Sequence, residues 1–467
     1  MQKNRFNILI LIVILGGGLF STCRQKDVLS GNSLINEFIA VNMDYWYYWR
    51  DKSQPNSNKS LDPETYFKSL LYPFDAQLRP DGDRFSAFLP NAQQTEAALS
   101  GESKTTGARL MLFNNSGNIA GVVMYVFPGS PAQRAGIRRG NIFPRITVDG
   151  QVVTTSNLST LLATGTEYVY TLGRFENRTF INSERTIAVT AQALQEDPIL
   201  LDTIYTRGSK RIGYMVYNRF YSRPNNSDQP IYDQRMARIF GQYKSAGINE
   251  FILDLRYNGG GFISTAHTLA SFIARGVNER TVLARDEYNS KVMPDLRKRF
   301  GDNFGIAFFQ NRPENIGSQL QRVYILTSSR TASASELVIN ALKPFMEVFL
   351  IGDVTVGKNV GSIVMKDDKN RFEQGIMPIV LKTFNSAGQS DYTAGFQPNV
   401  SVREDISQPF FEFGDPRDPL LSEALFQITG SRNARRGISQ TTDSDHLRIA
   451  PLPYETEMVL EKLPSIP

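Results

Sequence analysis

Cysteine and histidine are nearly missing from this chain. Cys23 is the one cysteine in 467 residues, and His267 and His446 are the only two histidines. One cysteine cannot form an intrachain disulfide, so stability has to come from packing. Two scattered histidines and a lone thiol offer no metal-ligand spacing, so neither a metal nor another cofactor is expected. A histidine-based catalytic triad is also poorly supplied, since His446 sits in a polar tail and His267 on a helix, where packing or surface exposure is the simpler role. The net charge of +5 is spread along the chain, without the Lys/Arg block that tracks a phosphate backbone, so nucleic acid is not an expected partner. Internal repeats are absent, and so is an apolar run of comfortable membrane-spanning length.

What is present is a globular composition, 41% hydrophobic and 11% aromatic, enough for more than one core and roughly two to four domains. The first residues read as a leader. Lys3 and Arg5 precede an apolar run from Phe6 to Leu15, broken only by Asn7, and Gly16 to Gly18 lead into Leu19-Phe20-Ser21-Thr22-Cys23. With the sole cysteine at the cleavage position, residues 1–23 resemble a bacterial lipoprotein signal. That resemblance implies a lipid on Cys23, a membrane anchor and a place in the cell envelope, facing the periplasm or the cell surface. An ordinary signal peptide with an incidental cysteine is the alternative.

Four further regions follow. Residues 32–95 hold Phe38, Tyr45, Trp46, Tyr47, Tyr48 and Trp49 and read as a small helical domain with an aromatic core. Residues 106–195 shift to short β-type runs: Gly121 to Val126, a Pro128-Gly129-Ser130-Pro131 turn, and Ile146-Thr147-Val148 before an Asp149-Gly150 turn. This succession resembles a PDZ domain, which binds peptides by strand addition. Asn141 stands where such domains more often carry Asp, and Phe143 to Arg145 are expected to intervene before the strand. A purely structural β-domain is the other reading. Residues 200–410 alternate strands (Ile212–Tyr217, Phe251–Leu255, Val323–Thr327) with helices (from Gln234, from Thr265, near Ser335), which predicts an α/β core with a mainly parallel sheet and flanking helices. Residues 411–467 form a tail with one helix, from Asp418 to Gln427.

Three short constellations fall at predicted strand ends, where open α/β sheets place their sites. Thr331-Ala332-Ser333-Ala334-Ser335-Glu336 crosses a strand-to-helix junction, where small neighbours let a hydroxyl protrude and following amides can face an oxyanion. Alone it is also a common helix cap. Thr355-Val356-Gly357-Lys358 carries a Gly-Lys pair without the upstream glycine of a phosphate loop. Asp254-Leu255-Arg256-Tyr257-Asn258-Gly259-Gly260-Gly261 puts three glycines after an apolar strand, so that backbone amides can approach a ligand.

In this order the three resemble the C-terminal processing peptidases, or tail-specific proteases, which join a PDZ domain to an α/β protease core. The resemblance spans residues 35 to 405 and includes Gly395, Pro398, Asn399 and Val400 of a late motif. It implies Ser333 as nucleophile, Lys358, 25 residues on, as general base, and an oxyanion site from Ala334 with Gly260 or Gly261. A glutamine usual four residues after that lysine is replaced by Ser362, whose hydroxyl could orient the lysine instead, and Asn359-Val360-Gly361 replaces Gly-Thr-Val. Physical chemistry agrees with a Ser-Lys pair, because serine needs a proton acceptor near neutral pH and lysine becomes one when burial disfavours its ammonium form. The implied activity is a serine endopeptidase acting on unfolded or C-terminal tail segments of envelope proteins, with apolar tails as partners. The competing expectations are an inactive peptide- or ligand-binding protein of the same fold, and an envelope scaffold using only the PDZ-like region.

Overall fold

The computed structural model describes residues 31–431 and 458–460. The leader with Cys23, and His446, lie outside them. Among the described residues no helix is long and apolar enough to cross a membrane.

The N-terminal region begins with a helix, Asn32–Trp46, and a shorter one, Pro63–Ser69. The second starts where it does because Asp62 accepts the Thr65 N–H at 3.1 Å and Pro63 occupies the first turn. Trp46, Tyr47 and Trp49 are buried in the main core. The region is not purely helical, as the sequence suggested. A strand, Ala87–Leu89, pairs antiparallel with Gly375–Met377 far along the chain, and a helix, Ala92–Leu99, follows it.

The β-rich region is an antiparallel sheet ordered Ala108–Asn115, Asn118–Val126, Ile142–Val148, Glu167–Glu176 and Thr179–Thr190. Asp149 (φ 48°) and Gly150 (φ 77°) both take left-handed backbone, the geometry of a tight hairpin, and lead into Gln151–Val152. Phe143 to Arg145 do not intervene before a strand; they belong to it. Pro144 has no N–H to give the ladder, so the register shifts between Ile142 and Arg145, and the apolar alternation is interrupted without the strand ending.

The core holds two sheets. In the first, Ile199–Arg207 pairs antiparallel with Lys210–Tyr217, and from there Glu250–Asp254, Arg322–Thr327, Glu347–Gly352 and Val400–Ser401 run parallel. Both faces are covered, as continuous apolar strands require. Ile212, Tyr214 and Val216 point to the helix Pro419–Thr429, while Met215 and Tyr217 point to the main core with the helices Ile231–Ser245, Ile263–Ile273 and Ala334–Leu342. The predicted tail helix is thus one whole layer of the core. Asp418 starts it by accepting the Leu421 N–H, and Gly430 (φ 69°) ends it.

The second sheet runs in the order Gly261–Phe262, Met458–Val459, Val360–Ser362, Ile379–Asn385, Val282–Tyr288 and Ile306–Phe308. Its last pairs are antiparallel, so the core is a mixed α/β arrangement rather than one mainly parallel sheet.

Candidate active site

Ser333 sits between the parallel strand Arg322–Thr327 and the helix Ala334–Leu342, immediately before the helix begins. Its backbone is held at φ 66° and ψ −113°, a region that costs a non-glycine residue about 1–3 kcal/mol and persists only where neighbours impose it. The residue is fully buried, and its Oγ has no hydrogen-bond partner. Ala334 occupies the first helical position, where amides have no intrahelical acceptor.

Lys358 arrives from the second sheet, on the loop joining Glu347–Gly352 to Val360–Ser362. It too is fully buried, and its Nζ lies 5.0 Å from the centre of the Phe85 ring. Arg84, the neighbour of that phenylalanine, donates to Gly357 O at 3.0 Å and Thr393 O at 2.9 Å. The N-terminal region therefore both roofs the lysine and clamps the loop that carries it. Ser362 is fully buried at the end of the same short strand.

The two segments meet on Glu336. Its Oε2 accepts the Ser333 N–H and the Lys358 N–H, both at 2.8 Å, and its Oε1 accepts the Gly357 N–H at 2.6 Å and the Thr355 hydroxyl at 2.5 Å. One carboxylate oxygen thus holds the backbone amides of Ser333 and Lys358 within two hydrogen-bond lengths of each other. Burial pushes the Glu336 carboxyl upward, and these four donors pull it back toward the charged form. Glu336 was quoted in the sequence motif but given no role. The Ser-x-x-Glu spacing of a helix start was the available signal, because such a glutamate reaches back to the amide of the residue before the helix.

The glycine loop is stitched to the serine turn by Asn258. Its Nδ2 donates to Tyr217 O, its Oδ1 accepts the Gly260 N–H at 2.9 Å, and its carbonyl accepts the Ala332 N–H and the Ser335 hydroxyl. The Gly260 amide is therefore committed, which separates Gly260 from Gly261 as an oxyanion donor. Gly261 has to be glycine: at φ 136° a Cβ would stand 2.2 Å from Phe220 O. Gly395 of the late motif is constrained in the same way, with Thr355 O at 2.0 Å from a Cβ, which lets that motif pack on the lysine loop.

Behind the glycine loop lies a buried ionic cluster. Arg256 donates to Asp254, to both carboxylate oxygens of Asp418 at 2.8 Å, and to Glu404 at 3.0 Å. Arg139, from the β-rich region, donates to the Tyr257 hydroxyl at 2.8 Å and pairs with Glu404. Burial alone would raise Glu404, but Arg139 and Arg256 hold it at about 2. The β-rich region is thereby wired to the residue that precedes Asn258.

His267 lies on the helix after the glycine loop. Its Nε2 is buried without a hydrogen-bond partner, and burial pushes the imidazole down to about 4, the wrong direction for a base that must hold a proton near neutrality. Among the described residues no group of histidine, cysteine and carboxylates is arranged to hold a metal ion.

The model of peptidase family S41 matches residues 211–402, and that of the peptidase S41 N-terminal domain matches residues 34–87. The chain is 24% identical over 428 residues to a carboxyl-terminal-processing protease of Synechocystis, covering 88% of each. It is 24% identical over 394 residues to the chloroplastic C-terminal processing peptidase of Tetradesmus obliquus, covering 79% of this chain and 74% of that one. A crystal structure from Bacteroides fragilis assigned to the S41 proteases superimposes with a TM-score of 0.65 at 26% identity, over 84% of this chain and 97% of the other.

Proposed function

Because this chain belongs to peptidase family S41 and is a serine peptidase, we propose that it works through a Ser333–Lys358 dyad, cutting extended, apolar C-terminal segments of envelope proteins. The observation that carries this reading is the shared Glu336 oxygen, which brings the amides of both residues to one point inside a dry site. Lys358, acting as general base, takes the Ser333 proton as Oγ attacks the peptide carbonyl. The oxyanion is held by the amides of Ala334 and Gly261, each such donor contributing about 3–4 kcal/mol of transition-state stabilisation. Lys358 then passes the proton to the leaving amine, and water repeats the sequence on the acyl-enzyme. Ser362, four residues after Lys358, orients the lysine amino group in place of the glutamine of relatives.

In this reading the antiparallel sheet of residues 108–190 is a PDZ-like module that captures the substrate tail, and the Arg139–Tyr257 contact links it to the catalytic loops. A lipid on Cys23 tethers the enzyme to an envelope membrane beside its substrates. Two measurements test the mechanism. Wild type should cleave an unfolded protein with an apolar C terminus, and Ser333→Ala and Lys358→Ala should each lose nearly all of that activity. A fluorophosphonate probe should label Ser333 in wild type and not in Lys358→Ala. Turnover or labelling that survives the loss of Lys358 would sink the dyad; a chain that binds the peptide yet neither cuts nor labels is the inactive binding protein instead.

A further inference from the structure

The strand between Gly261–Phe262 and Val360–Ser362 comes from the far end of the chain itself, Met458–Val459. Gly261 pairs with Met458 and Phe262 with Val459, both parallel. On the other edge Ser362 stands opposite Val459, and the Leu460 N–H donates to Ser362 O at 3.0 Å. The Val459 side chain is 2% exposed among Leu89, Ala92, Leu99 and Met377, and Leu460 is half-buried against the main core. The segment thus lies between the two strands that adjoin the proposed oxyanion donor and the proposed base.

We infer that this gap is the groove for a substrate strand, and that Met458–Leu460 is the chain's own ligand for it, an internal competitor held in the substrate's place. The inference rests on the Ser333–Lys358 reading for which groove matters. Without an inserted strand, two very short strands would face each other with unpaired N–H and C=O groups, the edge that accepts an extended peptide by strand addition. The occupant Met-Val-Leu is apolar, and so is the wall formed by Leu89, Ala92, Leu99 and Met377; a substrate displacing it would present an extended apolar segment running parallel to Gly261–Phe262. With the tail in place, Ser333 and Lys358 are both closed off from solvent. Tethering sets the competition. A ligand on the same chain acts at an effective concentration of order millimolar, so modest intrinsic affinity keeps the groove filled until substrate draws the tail out.

The test uses a fluorescent nonapeptide with the sequence of residues 455–463, titrated by anisotropy against the full chain and against full-length Val459→Glu, both checked for cooperative melting. The buried carboxylate should expel the segment, so Val459→Glu should bind the peptide at least ~10-fold more tightly, as a competitor at about 1 mM effective concentration with an intrinsic Kd of about 0.1 mM requires. Equal affinities, or binding by neither form, overturn the inference. If Val459→Glu does not melt cooperatively, hydrogen exchange on the unmodified chain decides: saturating peptide should strip protection from the Leu460 amide while the Val360–Ser362 amides stay protected. Unchanged protection at Leu460 with peptide bound overturns it. Neither readout needs turnover, so a chain that fails to hydrolyse yet passes this test loses the dyad and keeps the tail.

Discussion

Glu336→Gln removes one charge and almost no volume from the point where Ser333 and Lys358 meet. The carboxylate serves four donors, two on each oxygen. Glutamine has one acceptor oxygen and must turn its NH2 toward one pair. Facing Ser333 and Lys358, it would leave two backbone amides without an acceptor. Facing Thr355 and Gly357 is cheaper, because the threonine hydroxyl can rotate and accept, so that only the Gly357 amide is orphaned. One orphaned buried amide costs about 1–3 kcal/mol, and weakening two charge-assisted bonds adds about 1–2. A neutral side chain recovers part of this by avoiding the desolvation that raises Glu336 in the native protein. The net loss of stability should be roughly 1–3 kcal/mol, lowering Tm by roughly 1–4 °C. Catalysis should suffer more, since displacement of the order of 1 Å between reacting groups costs about 100-fold. We therefore expect kcat to fall about 100-fold with KM nearly constant, because Glu336 positions the reacting groups and does not reach the substrate. The assay is steady-state hydrolysis of an apolar-tailed peptide beside a thermal melt of the same preparation. A variant with wild-type kcat and an unchanged melt would refute the idea that this carboxylate assembles the site.

Three other outcomes follow from the same structure. Ser333 is held at φ 66°, so Ser333→Gly should be more stable than Ser333→Ala by roughly 0.5–2 kcal/mol in urea unfolding although both are inert, and the opposite order would remove the strain argument. His267 has a folded-state value of about 4 against 6.5 unfolded. Its stabilising contribution is complete above pH 6.5 and is withdrawn as pH falls through 4, about 3 kcal/mol in all; urea midpoints at pH 7, 5.5 and 4 should show this slope in wild type and little of it in His267→Gln. Arg256→Met would leave buried Asp254 with the Tyr214 hydroxyl at 2.8 Å in place of a cation, and Asp418 with Arg139 at 3.6 Å as its remaining cation, a loss of about 3–5 kcal/mol, and a calorimetric melt showing less than about 1 kcal/mol would mean the cluster contributes through packing alone.

Much of the site was readable because its chemistry is written in contiguous strings. The serine run, the glycine loop and the Gly-Lys pair each span a few residues, and the apolar strands before them are long enough to show a pattern. The partners that make the strings work together were not readable in this way. Gly261–Phe262 and Val360–Ser362 are two and three residues long, too short for any periodicity, and the strand they share, Met458–Val459, comes from about a hundred residues or more away in the sequence. Arg84 and Phe85 act through contacts more than 270 residues distant, for which local sequence has no signal. Glu336 is the intermediate case: its spacing from Ser333 is local and visible, but its grip on the lysine loop is tertiary. Pro144 misled for a simpler reason, since it breaks the pattern of a strand that continues through it.

Ser333 follows a strand of the parallel sheet and Lys358 leads into a strand of the second, and this has a bearing on when the enzyme becomes dangerous. The parallel sheet can present Ser333 as soon as residues 199–352 have collapsed, but Lys358 reaches it only after the second sheet has gathered strands from positions 261 to 459. Pairings of that sequence separation are the slow part of folding. If the proposed taste for unfolded chain holds, the enzyme is, while folding, its own most concentrated substrate. Dividing the proposed dyad between two sheets would delay its chemistry until little of its own backbone is left loose enough to cut.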